Sequence, residues 1–310
     1  MKILVTGGAG FIGVHVVDRL LADGHEVICF DNFDPYYSPE IKRANVAEAL
    51  HSKNFRLIEG DIRDGELIKR ILSEESIDYI IHEAAQAGVR ASVRDPRKVH
   101  EVNTTGTLNI LEAAINSDVK KIVNASSSSV YGKVKYLPFD EEHPKNPVSP
   151  YGASKLAAEH YCRVFSELYG LKITSLRYFT VYGPRMRPDL AISIFTRKAL
   201  NNEPIEIFGE GTKTRDFTYI DDAVNATLLA IKKGSDTYNI GGGTRISINE
   251  LAKKIIEITG SKSKIIYSQN VKGDAEHTLA DVGKAEKELG WKPKISIDDG
   301  LRKFIGWFSL

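Results

Sequence analysis

The chain has 310 residues, 42% hydrophobic and 27% charged, which is enough apolar material for one large or two modest packed domains. Its 42 lysines and arginines nearly balance 41 aspartates and glutamates, and a net charge of +1 argues against a nucleic-acid or polyanion partner. Cys29 and Cys162 are too few for a disulfide framework and lack metal-ligand spacing, so both are expected to pack as small apolar residues with no metal centre. No apolar run approaches the ~20 residues of a membrane helix. Met1-Lys2 leads into an apolar strand rather than a signal peptide, so the expectation is a cytoplasmic protein off the membrane.

Short β-branched runs at 3–6, 26–31, 55–59, 79–82 and 121–125 alternate with amphipathic stretches at 11–21, 67–72 and 107–114. That alternation predicts βαβ units and a doubly wound parallel sheet, an α/β fold of Rossmann type, and nearly unbroken apolar strands fit a sheet covered on both faces. Residues 34–50 form an insertion between the second and third strands, read as a surface loop followed by a short helix. A sixth strand is expected at 173–177, another at 215–219, and helices at 221–232 and 247–259, the last with Asn249 and Glu250 near its start. Between them, 184–214 is punctuated by Pro, Gly and Asn. The simplest partition is a nucleotide-binding domain at 1–180, with a return segment at about 216–242, and a smaller, partly interleaved α/β domain at 181–310.

Thr6-Gly7-Gly8-Ala9-Gly10-Phe11-Ile12-Gly13 joins the first strand to the first helix. Gly7, Gly10 and Gly13 give the spacing G-x-x-G-x-x-G, in which missing side chains allow a tight turn and a close approach of backbone N–H groups to a pyrophosphate. The helix N-terminus adds a field that favours phosphate. A tight turn needs glycine even with no ligand, but here an acid follows in place: Asp31 ends the second strand, where a carboxylate binds the adenosine ribose hydroxyls. A 2′-phosphate would meet like charge there, and Asn32 and Phe33 follow instead of arginine, so NAD is expected over NADP. Asp61, after the third strand, is placed to reach the adenine, or else to cap the helix that follows.

Ser149-Pro150-Tyr151-Gly152-Ala153-Ser154-Lys155 places Tyr151 and Lys155 four apart at a helix start, on one face. A phenol titrates near ~10 and needs a large downward shift to act as a base near neutrality. A fixed ammonium and a positive nicotinamide ring both supply one. The run Ser126-Ser127-Ser128-Ser129 closes the fifth strand, at the edge where doubly wound sheets present ligands. A hydroxyl there can pass a proton between substrate and phenol, although a serine-rich turn is also ordinary loop chemistry.

With these pieces assembled, the chain resembles the extended short-chain dehydrogenase/reductase family, and within it the UDP-sugar 4-epimerases, essentially end to end. The resemblance rests on the glycine loop, Asp31-Asn32, Gly60-Asp61-Ile62, His82-Glu83-Ala84-Ala85, Asn103, the serine run, Tyr151/Lys155 and Arg177-Tyr178-Phe179. It continues through Gly183-Pro184-Arg185, Arg215-Asp216-Phe217, Asn239-Ile240-Gly241 and Gly273-Asp274. It implies NAD held by Gly7, Gly10, Phe11, Ile12, Gly13, Asp31, Asn32, Asp61, Ile62, Ala84, Ala85 and Asn103, with Tyr178 beside the nicotinamide. Tyr151 is then the base, Lys155 lowers its pKa and binds the nicotinamide ribose, and Ser127 is the hydroxyl partner. The sugar nucleotide falls to Arg90, Ser127, Ser128, Ser129, Thr180, Arg185, Phe208, Arg215, Lys272, Asp274 and Thr278. Many relatives carry arginine where this chain has Lys272, which cannot make a bidentate fork to phosphate.

The implied reaction is NAD-dependent 4-epimerisation of a UDP-hexose through a bound 4-keto sugar, in a homodimer. Thr278 stands where a tyrosine in relatives excludes bulk at carbon 2, which favours UDP-N-acetylglucosamine or UDP-glucose. The alternative is UDP-glucuronate, since Asp34-Pro35-Tyr36-Tyr37 and Ala87-Gly88-Val89-Arg90 resemble those epimerases and Ser128, Ser129 and Thr180 can receive a 6-carboxylate. A 4,6-dehydratase or decarboxylase is disfavoured, because the serine run holds no carboxylate. A non-catalytic NAD(H) sensor is disfavoured because Tyr151 and Lys155 are both present.

Overall fold

The computed structural model describes residues 1–269 and 275–309. Twelve strands lie among these residues: β1 (Lys2–Thr6), β2 (Glu26–Asp31), β3 (Phe55–Glu59), β4 (Tyr79–His82), β5 (Lys121–Ser127), β6 (Ile173–Tyr178), β7 (Thr180–Tyr182), β8 (Ile205–Phe208), β9 (Thr214–Tyr219), β10 (Thr237–Ile240), β11 (Arg245–Ser247) and β12 (Ile265–Ser268). The helices are α1 (Phe11–Ala22), α2 (Pro39–Val46), α3 (Gly65–Glu74), α4 (Val89–Arg94), α5 (Pro96–His100), α6 (Gly106–Ile115), α7 (Pro150–Tyr169), α8 (Ala191–Leu200), α9 (Ile220–Lys232), α10 (Ile248–Thr259), α11 (Gly283–Leu289) and α12 (Ile297–Phe308).

Seven strands form one sheet in the order β10-β6-β5-β4-β1-β2-β3, and every neighbouring pair is parallel. The order reverses between β1 and β4, which is where open α/β sheets bind ligands. Alternation along the strands sorts the core into two layers. Ile3, Val5, Val27, Ile81 and Val123 point to α1 and α9, while Leu4, Ile28, Ile80 and Ile122 point to α3, α6 and α7. Edge strand β3 is only partly covered, so the expected double burial stops there. Cys29 and Cys162 are both free and buried, packed as apolar residues.

The insertion is a loop followed by α2, as its composition suggests. The amphipathic stretch at 107–114 forms α6, which α5 enters through one wide turn of π-helical geometry at Glu101–Thr105. After β6 the chain builds two small sheets, β11-β9-β7 and β12-β8, between which α8 and α10 pack on each other. Between β9 and β11 it returns to the main sheet through α9 and β10. Ser247 and Glu250 form a reciprocal capping box on α10. No described helix is long and apolar enough to cross a membrane.

Helix α7 is the element that positions the site. Ser149 caps it by accepting the Gly152 N–H, Pro150 occupies its first turn, and Gly170 ends it in the left-handed region. Midway along, Glu159 takes both guanidinium arms of Arg177 from β6 at 2.9 and 2.8 Å, with the two side chains only 7% and 5% exposed. Arg177 also donates to the Tyr131 hydroxyl and the Glu141 carbonyl. Glu159→Gln leaves that guanidinium buried without its counter-charge, and chemical denaturation should show a loss of about 3–5 kcal/mol.

Candidate active site

The C-terminal ends of β1, β2, β4, β5 and β6 open into one cleft of about 800 Å³, in the size range of small-molecule sites. Gly7 starts its floor. Its φ of +68° suits glycine, and a Cβ there would lie 2.6 Å from the Ala84 amide nitrogen. At Gly13 a Cβ would lie 2.1 Å from the Gly7 carbonyl oxygen. Helix α1 starts at Gly10 without a side-chain cap, so its first amides face the cleft with their field unspent.

Asp31 is 7% exposed, with one carboxylate oxygen accepting the Ala9 N–H at 3.1 Å and the other the Phe33 N–H at 2.8 Å. Burial raises its pKa against those bonds and against Lys42. Asn32 donates to Asp61, whose carboxyl is held at about 2 mainly by hydrogen bonding from Arg63. The cap of the next helix is Asp64, which accepts the Leu67 N–H, so Asp61 is free to face the cleft. Phe11, Ile12, Ile62, Ala84 and Ala85 line the same wall. A floor that a methyl group would fill, uncapped amides and a fixed carboxylate fit a dinucleotide.

Asn103 differs from expectation. It is 1% exposed on the wide turn and does not line the cleft: its amide oxygen accepts the Gln86 N–H, and its amide nitrogen donates to the Gln86 carbonyl and the Ser154 hydroxyl. Its hydrogen bonds are thus spent on holding the loop after β4. His82 has a structural part as well. It bridges Thr6 and Thr107, and burial lowers its pKa to about 3, which keeps it neutral.

Tyr151, Lys155 and Ser127 meet at the centre of the cleft. Ser127 is the last residue of β5, paired in register with Tyr178. Its hydroxyl hydrogen-bonds the Tyr151 phenol and accepts the Ser129 N–H. Lys155 donates to the Ala125 carbonyl at 2.8 Å, and burial lowers its pKa to about 8 against the pull of Glu83. The chain by itself does not lower the Tyr151 pKa: burial raises it, opposed by the Ser127 hydrogen bond and the Arg187 charge. A further cation at the site is needed to bring the phenolate within reach of neutrality.

Ser128, Ser129, Thr180, Arg90, Phe208, Arg215 and Thr278 line the outer cleft. Arg90 lies over the Phe208 ring at 4.7 Å. The Thr278 hydroxyl accepts the Asp216 N–H. Asp216 itself is fully buried and takes the N–H groups of Gly242, Gly243 and Ala280, so in Arg215-Asp216-Phe217 the acid braces loops while its neighbours face the cleft. Lys272 and Asp274 lie outside the described residues.

Arg185 is not at the cleft. It has a φ of +60° and pairs with Asp18 on α1 at 2.6 Å. Of the two arginines flanking Met186, Arg187 lines the cleft, forked onto Asp189, which also accepts the Tyr36 hydroxyl at 2.9 Å. Sequence offers two arginines around Met186 with nothing to choose between them, and Glu83 stands inside a quoted motif with no signal of its own.

Comparison with known proteins agrees with this geometry. The family described as GDP-mannose 4,6 dehydratase matches residues 4–304. A UDP-glucuronate 4-epimerase of Thermodesulfobacterium geofontis is 43% identical over 98% of this chain and 95% of its own. Among solved structures, the Thermotoga maritima UDP-glucose 4-epimerase with UDP-glucose superimposes with a TM-score of 0.94 at 41% identity, covering 100% of this chain and 99% of that one. A Bacillus cereus UDP-glucuronic acid 4-epimerase, with UDP-glucuronic acid and NAD, gives 0.94 at 36% identity and the same coverage.

Gly7→Ala should lower stability by about 1–3 kcal/mol from overpacking on the Ala84 backbone. Gly24→Ala, also at positive φ but with open space around it, is the control for backbone strain alone. Thermal unfolding of the two variants separates packing from strain.

Proposed function

Because this chain belongs to the GDP-mannose 4,6 dehydratase family of extended short-chain dehydrogenases/reductases, we propose that it is an NAD-dependent UDP-sugar 4-epimerase, an isomerase acting on a UDP-linked hexose. The observation that carries this reading is the half-buried Tyr151 beside buried Ser127 and Lys155 in a glycine-floored cleft. Neighbours of the same fold are solved with NAD or with UDP-sugars.

In this reading Gly7, Gly10, Phe11, Ile12 and Gly13 hold the pyrophosphate through backbone amides, Asp31 holds the adenosine ribose and repels a 2′-phosphate, and Asn32 with Asp61 borders the adenine. Bound NAD supplies a hydride acceptor at carbon 4 and returns the hydride to the opposite face of a 4-keto sugar. Tyr151 takes the 4-hydroxyl proton and gives it back, Ser127 shares that proton's hydrogen bond, and Lys155 contributes positive charge and a ribose contact. The division into a nucleotide unit at 1–180, with the return at 216–242, and a sugar-nucleotide unit at 181–310 belongs to the same proposal. So does a homodimer, for which Tyr161, Leu168 and Tyr169 leave exposed apolar surface on α7. A cytoplasmic setting suits two free thiols.

Thr278 supports an open pocket at carbon 2, hence UDP-N-acetylglucosamine or UDP-glucose. A second reading, UDP-glucuronate, is favoured by Arg187, whose charge acts on Tyr151 from within the cleft near Ser128, Ser129 and Thr180. Elimination of the 4,6-dehydratase kind has no acid in the serine run.

Incubation with UDP-glucose, UDP-N-acetylglucosamine and UDP-glucuronate separately, read by NMR, should give the 4-epimer of at least one of them. Inversion of none by NAD-loaded protein rejects the reading. Tyr151→Phe should retain bound NAD and lose turnover by at least the ~10²–10⁴-fold of a positioned general base. Thr278→Tyr should suppress any N-acetylated substrate while sparing UDP-glucose, by overpacking at carbon 2; equal loss on both would place Thr278 elsewhere in the pocket.

A further inference from the structure

Glu83 is a half-buried carboxyl lining the cleft that the reaction above does not use. Its backbone N–H bonds the Thr6 carbonyl, so it sits directly after β4, against the glycine floor. Its side chain meets the Tyr178 hydroxyl at 3.0 Å, and that hydroxyl lies 2.6 Å from Thr227 on α9, which donates to the Ala223 carbonyl. The chain of oxygens can be satisfied in two ways. With Glu83 ionised, Tyr178 donates to it and Thr227 turns its hydrogen onto Tyr178. With Glu83 protonated, Glu83 donates to Tyr178, Tyr178 to Thr227, and Thr227 to the carbonyl, so no hydrogen is left unpaired. Either proton arrangement leaves the carboxyl hydrogen-bonded, so its charge can follow its surroundings.

The charged and titratable groups facing it are Lys155 and Tyr151 on α7 and Tyr178 on β6, and its field reaches all three. A ring that takes hydride from the carbon whose hydroxyl meets Tyr151 has to lie against Tyr151, within that same field. Resting on the NAD-dependent reading, we propose that Glu83 is a positioning residue that matches its charge to the oxidation state of the bound nicotinamide. It is ionised beside the cationic oxidised ring and protonated beside the neutral reduced one, which biases the resting enzyme toward NAD⁺. Burial brings the Glu83 carboxyl up to about 7, against the Tyr178 hydrogen bond and Lys155, so both forms are populated near neutrality. The sign follows: binding of NAD⁺ expels the proton to solvent and strengthens as pH rises through 7, while binding of NADH does not.

The test uses full-length protein stripped of nucleotide and titrated calorimetrically with NAD⁺ and with NADH between pH 6 and 8.5, in buffers of different ionisation enthalpy. Wild type should release a fraction of a proton on binding NAD⁺ near pH 7. It should also prefer NAD⁺ over NADH by about tenfold more than Glu83→Gln does at pH 8, a difference of about 1.4 kcal/mol. Lys155, with its pKa near 8, also sheds protons beside a cation, so only the part of the release that the glutamine variant lacks counts for Glu83. Equal preference and equal proton release in the two proteins overturn the proposal, as does an equal loss of affinity for both nucleotides, which would mark a merely structural role. Tyr178→Phe keeps the carboxyl and removes its donor, so the pH midpoint of the NAD⁺ preference should move up. An unmoved midpoint overturns the proposal even if the glutamine variant does not fold. Failure of the wild type to bind either nucleotide would instead overturn the NAD-dependent reading itself.

Discussion

The site depends on one close approach between backbones. Gly7, at the end of β1, lies against the Glu83–Ala84 segment after β4, at the point where the strand order reverses, with no room for a Cβ between them. That contact brings the α1 amides, the loop after β4 and the ends of β5 and β6 around one cleft. Hydrophobic burial builds the sheet, but it does not choose this approach; a side chain at Gly7 would push β1 and β4 apart while leaving both core layers intact.

Around that contact the protein arranges ionisable groups along the cleft wall. Tyr151, Lys155 and Glu83 each have their charged form disfavoured by burial, so each depends on a neighbour or ligand to settle its state. In water the same groups would be indifferent to one another at these separations; in the cleft a single added charge changes all three. The phenol without a bound cation is a poor base.

The scaffold holding these groups is rigid for reasons that are partly polar. Arg177 and Glu159 tie α7, and with it Tyr151 and Lys155, to β6. Asp216 gathers three backbone amides from two loops, and burial raises its own pKa to about 6. Asn103 and His82 spend their hydrogen bonds on the loop and the strands beneath the cleft. Arg177, Asp216, Asn103 and His82 stand within motifs visible in the sequence and Glu159 does not, yet all five act on the scaffold around the cleft.

Local sequence by itself determined the parts governed by short-range rules. Period and composition marked β1 to β6 together with α1, α2, α3 and α6, the glycines marked the loop, Asp31 and Tyr151/Lys155 carried their chemistry in their spacing, and Asn249 with Glu250 marked the start of α10. What tertiary structure decided was orientation and environment. Arg185 and Arg187 differ in nothing that a sequence displays, but a left-handed backbone at Arg185 turns it to Asp18 on α1 and leaves Arg187 for the cleft. Strands β7, β8, β11 and β12 are three or four residues long and carry no periodicity of their own that marks them, because their pairing partners lie far along the chain. The state of Glu83 has the same origin: a carboxyl's charge depends on how much water surrounds it and which distant hydroxyl meets it, and both are set only once β4, β6, α7 and α9 have packed.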